Sequence, residues 1–127
     1  MVVHHIERIC KPYEQWNPAL SWEKNREPKD KALRALKELA QTLQIPVLCT
    51  GYLHRSLELR KNKRPRLQDL KKAEIPEELV DQIVFLYRDR YYDSCGTEGA
   101  ECIIAKSSSG NTGVLELGWD YATGIFL

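Results

Sequence analysis

The feature that most constrains this chain is a short succession between Pro28 and Thr50. Ala32, Leu33, Leu36, Leu39, Ala40 and Leu43 recur at three- and four-residue spacing, so a helix here carries one apolar stripe. Pro28 suits the first turn of such a helix and Pro46 bars its continuation, which predicts a helix from about Lys29 to Leu43. Val47-Leu48-Cys49-Thr50 follows at once and reads as a short buried strand. Helix, short link and apolar strand make half of an α/β unit, because each element has one apolar side that only the other class of element covers efficiently.

The rest of the chain extends this pattern. Val2 to Ile6 is a β-type run, and residues 11 to 28, with Pro12, Pro18, Trp16 and Trp22, lack periodicity and read as an irregular connection. The two tryptophans are expected to cover core. Ile75-Pro76-Glu77-Glu78 looks like a helix start, with proline and acids in the first turn. Gln82 to Tyr87 contains Ile83-Val84-Phe85-Leu86 and reads as a second buried strand. Ala100 to Ala105 and Thr112 to Trp119 form a hairpin around Lys106-Ser107-Ser108-Ser109-Gly110-Asn111. That turn could offer its amides to an anion, but a serine- and glycine-rich β-turn accounts for the same residues.

Length and charge narrow the function classes. The 127 residues are one domain's worth of chain and suffice for a core. A net charge of +1 supplies no global attraction to nucleic acid, so any such binding must come from clustering. One cluster exists: residues 55 to 72 hold eight basic and two acidic side chains, a local charge of +6. No run approaches the ~18 apolar residues of a membrane span, and Met1-Val2-Val3-His4-His5-Ile6 lacks the form of a signal peptide, so a cytoplasmic protein is expected. The four cysteines (Cys10, Cys49, Cys95, Cys102) show no short pair spacing, and Cys49 and Cys102 read as small core residues. His4 and His5 would point to opposite faces of a strand and so cannot easily share a metal with Cys10; no metal site is expected.

Several blocks resemble, in order, the RecA-like motor domain of DnaB-type replicative helicases. The family's sensor strand, roughly S-Q-L-N-R-S-x-E, is similar to Gly51-Tyr52-Leu53-His54-Arg55-Ser56-Leu57-Glu58. Its K-R-P-x-x-S-D-L-R is similar to Lys63-Arg64-Pro65-Arg66-Leu67-Gln68-Asp69-Leu70-Lys71. Its D-L-I-x-F-L-Y-R-D-E is similar to Asp81-Gln82-Ile83-Val84-Phe85-Leu86-Tyr87-Arg88-Asp89-Arg90. Its I-I-I-A-K-Q-R-N-G-P-T-G is similar to Cys102-Ile103-Ile104-Ala105-Lys106-Ser107-Ser108-Ser109-Gly110-Asn111-Thr112-Gly113. The resemblance is continuous from about Asn25 to Phe126 and weaker from Val2 to Ile9. It implies a single domain over residues 1–127: a partial RecA-like (P-loop NTPase-type) α/β fold with a mixed sheet of about five strands that lacks the phosphate-loop strand. Such a gap leaves two strands to pair directly or to take a strand from another chain, which implies self-association through unpaired strands.

The resemblance also implies ATP and magnesium as the family's cofactors, but the matching positions lack the parts. No G-x-x-x-x-G-K-[ST] occurs, so no amide cradle and lysine hold phosphates. The magnesium-strand aspartate aligns with His4, which cannot replace a carboxylate for a hard cation. The sensor glutamine is Tyr52. The hairpin arginine is Ser108, which forfeits a group typically worth ~10³–10⁵ in rate, and only Lys106 survives. Tyr52 and Lys106 are therefore vestigial, and no cofactor and no ATP hydrolysis by this chain alone are expected. The basic loop is better kept. Family position implies single-stranded DNA backbone contact by Arg55, Arg64, Lys71 and Lys72, for which lysine serves nearly as well as arginine because charge is what matters. The partners implied are single-stranded DNA, helicase subunits reached by the hairpin, or a second copy. Alternatives are the downstream piece of a split helicase, active only beside a phosphate-loop piece, and a remnant with no biochemical role.

Overall fold

The apolar stripe forms a helix as its spacing requires, but the helix begins earlier than Pro28 suggests. The computed structural model of the chain describes residues 1–3, 22–73 and 75–127. Helix α1 runs Trp22–Leu43 and passes through Pro28. Proline in a helix interior removes one donor, yet its fixed φ is helical, and glutamate, lysine and arginine ahead of it are good helix formers. The expected start at Lys29 is therefore corrected to Trp22. The readings placed on His4, His5, Cys10, Pro12, Trp16 and Pro18 lie outside the described residues.

The end of α1 is set by backbone geometry. Gln44 takes a left-handed φ of 52°, and Ile45 N donates to Ala40 O at 3.1 Å, a 6→1 closure of the last turn. Gln44 Nε2 also donates to Gln41 O at 2.7 Å, and Pro46 then prevents any further helix.

The chain divides into two compact units, Met1–Lys63 with Leu67–Val80, and Arg64–Arg66 with Asp81–Leu127. In the first, strands β1 (Val2–Val3) and β2 (Leu48–Cys49) pair in parallel, Val2 beside Leu48 and Val3 beside Cys49. The basic segment is built of a 3₁₀ turn, Arg55–Leu59, and helix α2, Leu67–Lys72. A second 3₁₀ turn, Glu77–Leu79, replaces the longer helix expected after Pro76. Leu33, Leu57, Leu70, Ala73 and Pro76 are buried. Cys49 is half-buried and Leu48 is 61% exposed, so β2 is not the buried strand that its apolar run suggested.

In the second unit, β3 (Gln82–Tyr87), β4 (Ala100–Ser107) and β5 (Gly113–Leu117) form an antiparallel sheet in the order β3-β4-β5. The strand expected at Gln82 to Tyr87 has those bounds. Its burial alternates: Ile83, Phe85 and Tyr87 are inside, whereas Val84 is 44% and Leu86 is 57% exposed. An apolar run of four residues does not reveal whether both faces of its sheet are covered, and here one face is not. The hairpin β4–β5 turns at Gly110, whose φ of 83° favours glycine and whose N donates to Ser107 O at 3.0 Å. A last hairpin, β6 (Trp119–Asp120) with β7 (Ile125–Phe126), closes through Gly118 and Leu127, which exchange backbone hydrogen bonds at 3.1 and 3.0 Å. The α/β class with parallel and antiparallel pairing is as expected, although among the described residues the pairing falls into three sheets.

Candidate nucleic-acid interface

The basic segment becomes a defined surface through two buried anchors. His54 caps the 3₁₀ turn, its Nδ1 accepting from Ser56 N at 3.2 Å, which fixes the direction in which the exposed Arg55 leaves the backbone. Leu57 on this turn and Leu70 on α2 are both buried. Between them Arg60 forks onto Asp69: Nη1 donates to Oδ1 at 3.1 Å and Nη2 to Oδ2 at 3.0 Å. The Asp69 side chain is 6% exposed, so its charge is held in place by a planar bidentate partner instead of by water. Lys63 Nζ donates to Arg60 O at 3.2 Å and tightens the loop joining the two elements.

Helix α2 is held at its far end too. Ala73 O accepts from Lys29 Nζ at 2.6 Å, a contact 44 residues away in sequence, and Ile75 N donates to Leu70 O at 3.0 Å. Carbonyls at a helix C-terminus attract cations, so Lys29 and the terminal pair Lys71–Lys72 all suit this end. Lys71 and Lys72 are exposed, as are Arg55 and Lys61. Three of the four expected nucleic-acid residues, Arg55, Lys71 and Lys72, therefore project from one braced substructure of the first unit.

Arg64, the fourth, sits in the second unit and has other work there. Its Nε donates to Glu101 Oε2 at 2.8 Å and its Nη2 to Oε1 at 2.6 Å. Its guanidinium lies 4.7 Å over the centre of the Tyr87 ring. The hydrogen bond to Glu101, with the charge of that carboxylate, pushes the Arg64 pKa up. Tyr87 in turn donates to Asp89 Oδ1 at 2.6 Å. Burial first, then this bond, push the tyrosine up to about 12. The Tyr87 hydroxyl and the Thr97 amide hold the Asp89 carboxyl below the usual range. Sequence reasoning missed this cluster, since Glu101 carries no motif and lies 37 residues from Arg64. It also missed Arg88, whose guanidinium stacks 3.8 Å from the centre of the Trp119 ring. The β6–β7 turn was legible in principle: Asp120 Oδ1 accepts from Ala122 N at 2.8 Å and its Oδ2 from Thr123 Oγ1 at 2.5 Å, before Gly124 at φ 70°.

Tyr52 and Lys106, expected to be vestigial, belong to different units. Tyr52 follows β2 and is 65% exposed; Lys106 is half-buried on β4, beside Ile83 of β3. Near Lys106, Ser109 N donates to Ser107 Oγ at 3.3 Å and the two hydroxyls lie 2.7 Å apart, so the serines are engaged in closing a turn. Among the described residues no group of three or more His, Cys, Asp or Glu side chains is placed to hold a metal ion. These residues do not fit magnesium–ATP: Lys106 is a single cation on a strand, and no phosphate-loop sequence supplies the rest. No helix among the described residues is long and apolar enough to cross a membrane.

Comparison with known proteins assigns the class first. The fold matches a solved ATPase domain with a TM-score of 0.81 at 30% identity, over 99% of this chain and 43% of that one. It matches a DnaB-like replicative helicase, solved with its interactions with primase, with a TM-score of 0.82 at 31% identity, over 99% of this chain and 29% of that one. This is the RecA-like ATPase fold of DnaB-type helicases. The family model for the DnaB-like helicase C terminal domain matches residues 15–127, and the chain belongs to that family. Among curated relatives, the replicative DNA helicase DnaB of Geobacillus stearothermophilus is 42% identical over 86 residues, 66% of this chain and 19% of that protein. DnaC of Bacillus subtilis (strain 168) is 41% identical over 87 residues, again 66% and 19%. A probable plasmid replicative helicase of Chlamydia psittaci is 40% identical over 94 residues, 73% and 20%. The chain thus spans about a fifth of the length of the curated relatives that it matches.

Proposed function

We propose that this chain is a DnaB-like motor-domain fragment of the cytoplasm that binds the backbone of single-stranded DNA through Arg55, Lys71 and Lys72 and does not hydrolyse ATP by itself. The observation that carries this reading is the exposed Lys71–Lys72 pair at the end of a helix fixed by the Arg60–Asp69 fork. A braced cation contributes more per phosphate than one on a free loop, because less side-chain and backbone freedom is lost on binding. Arg64, the fourth residue of the expected set, is paired with Glu101 and is not one on which this reading relies. Aromatic partners for bases are few near this surface, so binding is weak, salt-sensitive and indifferent to sequence.

The test is the affinity for a labelled oligothymidylate over a range of salt. Three phosphate contacts give a slope of about −2 in log affinity against log salt, at roughly −0.7 per contact for single strands. Lys71→Glu with Lys72→Glu should abolish binding at low salt while leaving the melting temperature unchanged. Absence of binding by the wild type at low salt, or binding indifferent to the charge reversal, sinks the reading.

A second reading is favoured by a separate observation: the chain superposes on less than half of a solved ATPase domain. In this reading it works as the downstream piece of a helicase motor, beside a polypeptide that carries the phosphate loop.

A further inference from the structure

We infer that Lys29 is a positioning residue for single-stranded DNA: it sets the direction of Lys71 and Lys72 by holding the end of α2, and touches no phosphate itself. The inference rests on the DNA-binding reading above and names the residue that fixes its lysine pair.

The place of Lys29 on α1 is the first observation. Lys29, Leu33, Leu36 and Ala40 recur at four-, three- and four-residue spacing, so they lie along one line of that helix. Leu33 is buried, and Lys29, Leu36 and Ala40 are half-buried. A lysine on such a line either snorkels to water or meets a polar group of another element. Lys29 meets one: its Nζ donates to Ala73 O at 2.6 Å, across 44 residues of sequence.

The carbonyl that it meets is the second. Ala73 directly follows the Lys71–Lys72 pair. Helix α2 has six residues, far short of the ~12–15 that an isolated helix needs, so tertiary contacts hold it. Two of its carbonyls are closed by the chain that follows: Asp69 O accepts from Ala73 N at 3.2 Å and Leu70 O from Ile75 N at 3.0 Å. Ala73 O is closed by Lys29 instead. Ala73 is buried, so water replaces that donor poorly, and without it the turn that carries the two lysines loosens. The bond therefore passes the rigidity of a 22-residue helix to a six-residue one. Less freedom is then left for DNA to remove, which is where the gain in affinity arises.

The same geometry separates the three lysines by role. Lys71 and Lys72 are exposed, whereas Lys29 is half-buried with its ammonium engaged on a backbone carbonyl.

The test measures oligothymidylate affinity of the full chain at low salt. Lys29→Met keeps most of the stem and removes the ammonium; it should weaken binding about fivefold, the scale of ordering one long side chain. The salt slope should stay at about −2, because no phosphate contact is removed. In a Lys72→Ala background the same change should cost about twofold or less, since part of what Lys29 positions is already gone. Lys29→Arg keeps a cationic donor and should bind like the wild type. In the wild type, oligothymidylate should slow acetylation of Lys71 and Lys72 by acetic anhydride and leave that of Lys29 unchanged, a readout that needs no variant to fold.

Unaltered affinity in Lys29→Met overturns the inference, and so does an equal loss in the Lys72→Ala background, which a merely structural lysine would give. A slope shallower by about 0.7, or protection of Lys29 from acetylation, makes Lys29 a phosphate contact and overturns it too. An equal loss in Lys29→Arg does the same. Absence of binding by the wild type removes the proposed function together with this inference; wild-type binding that Lys29→Met leaves unchanged removes this inference alone.

Discussion

At the scale of single residues, two side chains hold conformations that the chain could improve or lose. Gln44 occupies the left-handed region at φ 52°, which costs a residue with a Cβ about 1–2 kcal/mol relative to glycine. Gln44→Gly surrenders the bond to Gln41 O and some unfolded-state entropy, and should still raise stability by about 0.5 kcal/mol, read as a higher urea midpoint. Tyr87 and Asp89 form the second case. The depressed Asp89 carboxyl contributes stability that is present above the ordinary aspartate range and is lost as pH falls through about 4 and below. The raised Tyr87 hydroxyl contributes stability that is full below about pH 10 and is lost as pH climbs toward its folded value of about 12. The stability difference between wild type and Tyr87→Phe should therefore be largest near neutrality and shrink at both ends. Denaturant titrations at pH 3, 7 and 11 (approximate set points chosen around those ranges) check it; a difference independent of pH would remove the bond from the account.

At the scale of elements, α2 shows how a motif residue and its function separate. Asp69 stands out in the sequence as part of a K-R-P-x-x-S-D-L-R resemblance, with no hint of what it does. In the fold it receives both Nη groups of Arg60 and thereby positions the lysines at the end of the same helix. Arg60→Ala strands a nearly buried carboxylate and should cost about 3 kcal/mol, with α2 amides losing protection first. Arg60→Met with Asp69→Leu should cost less than either single change, because no buried charge is then left alone. Strand β3 was legible to the residue, since its bounds follow from flanking polar groups and from the five apolar-leaning positions Ile83 to Tyr87. Its exposed half was not, because cover for a face comes from elements far away in sequence. The start of α1 was misread because Pro28 marks a first turn in most helices and an interior position in this one.

At the scale of the molecule, the chain has the RecA-like fold of the DnaB-type family, and its 127 residues contain no G-x-x-x-x-G-K-[ST]. Purified alone, it should show no magnesium-dependent ATP turnover above buffer, and Lys106→Ala should change nothing; turnover that depends on Lys106 would refute this.

The sequence by itself determined the family, the α/β class, the order of the main elements and the location of the basic segment. All of these are encoded by local periodicity and by blocks of matched residues. Tertiary structure alone decided which cations are available and which are spent. Arg64 and Glu101 are 37 residues apart and meet only because β4 brings the carboxylate to the Tyr87 ring, while Lys71 and Lys72 stay in solvent. It alone decided, too, that Val84 and Leu86 of β3 are exposed while Ile83, Phe85 and Tyr87 are buried. Charge pairing and burial are properties of distance in space, and a linear pattern fixes distance only over the few residues of one turn or strand.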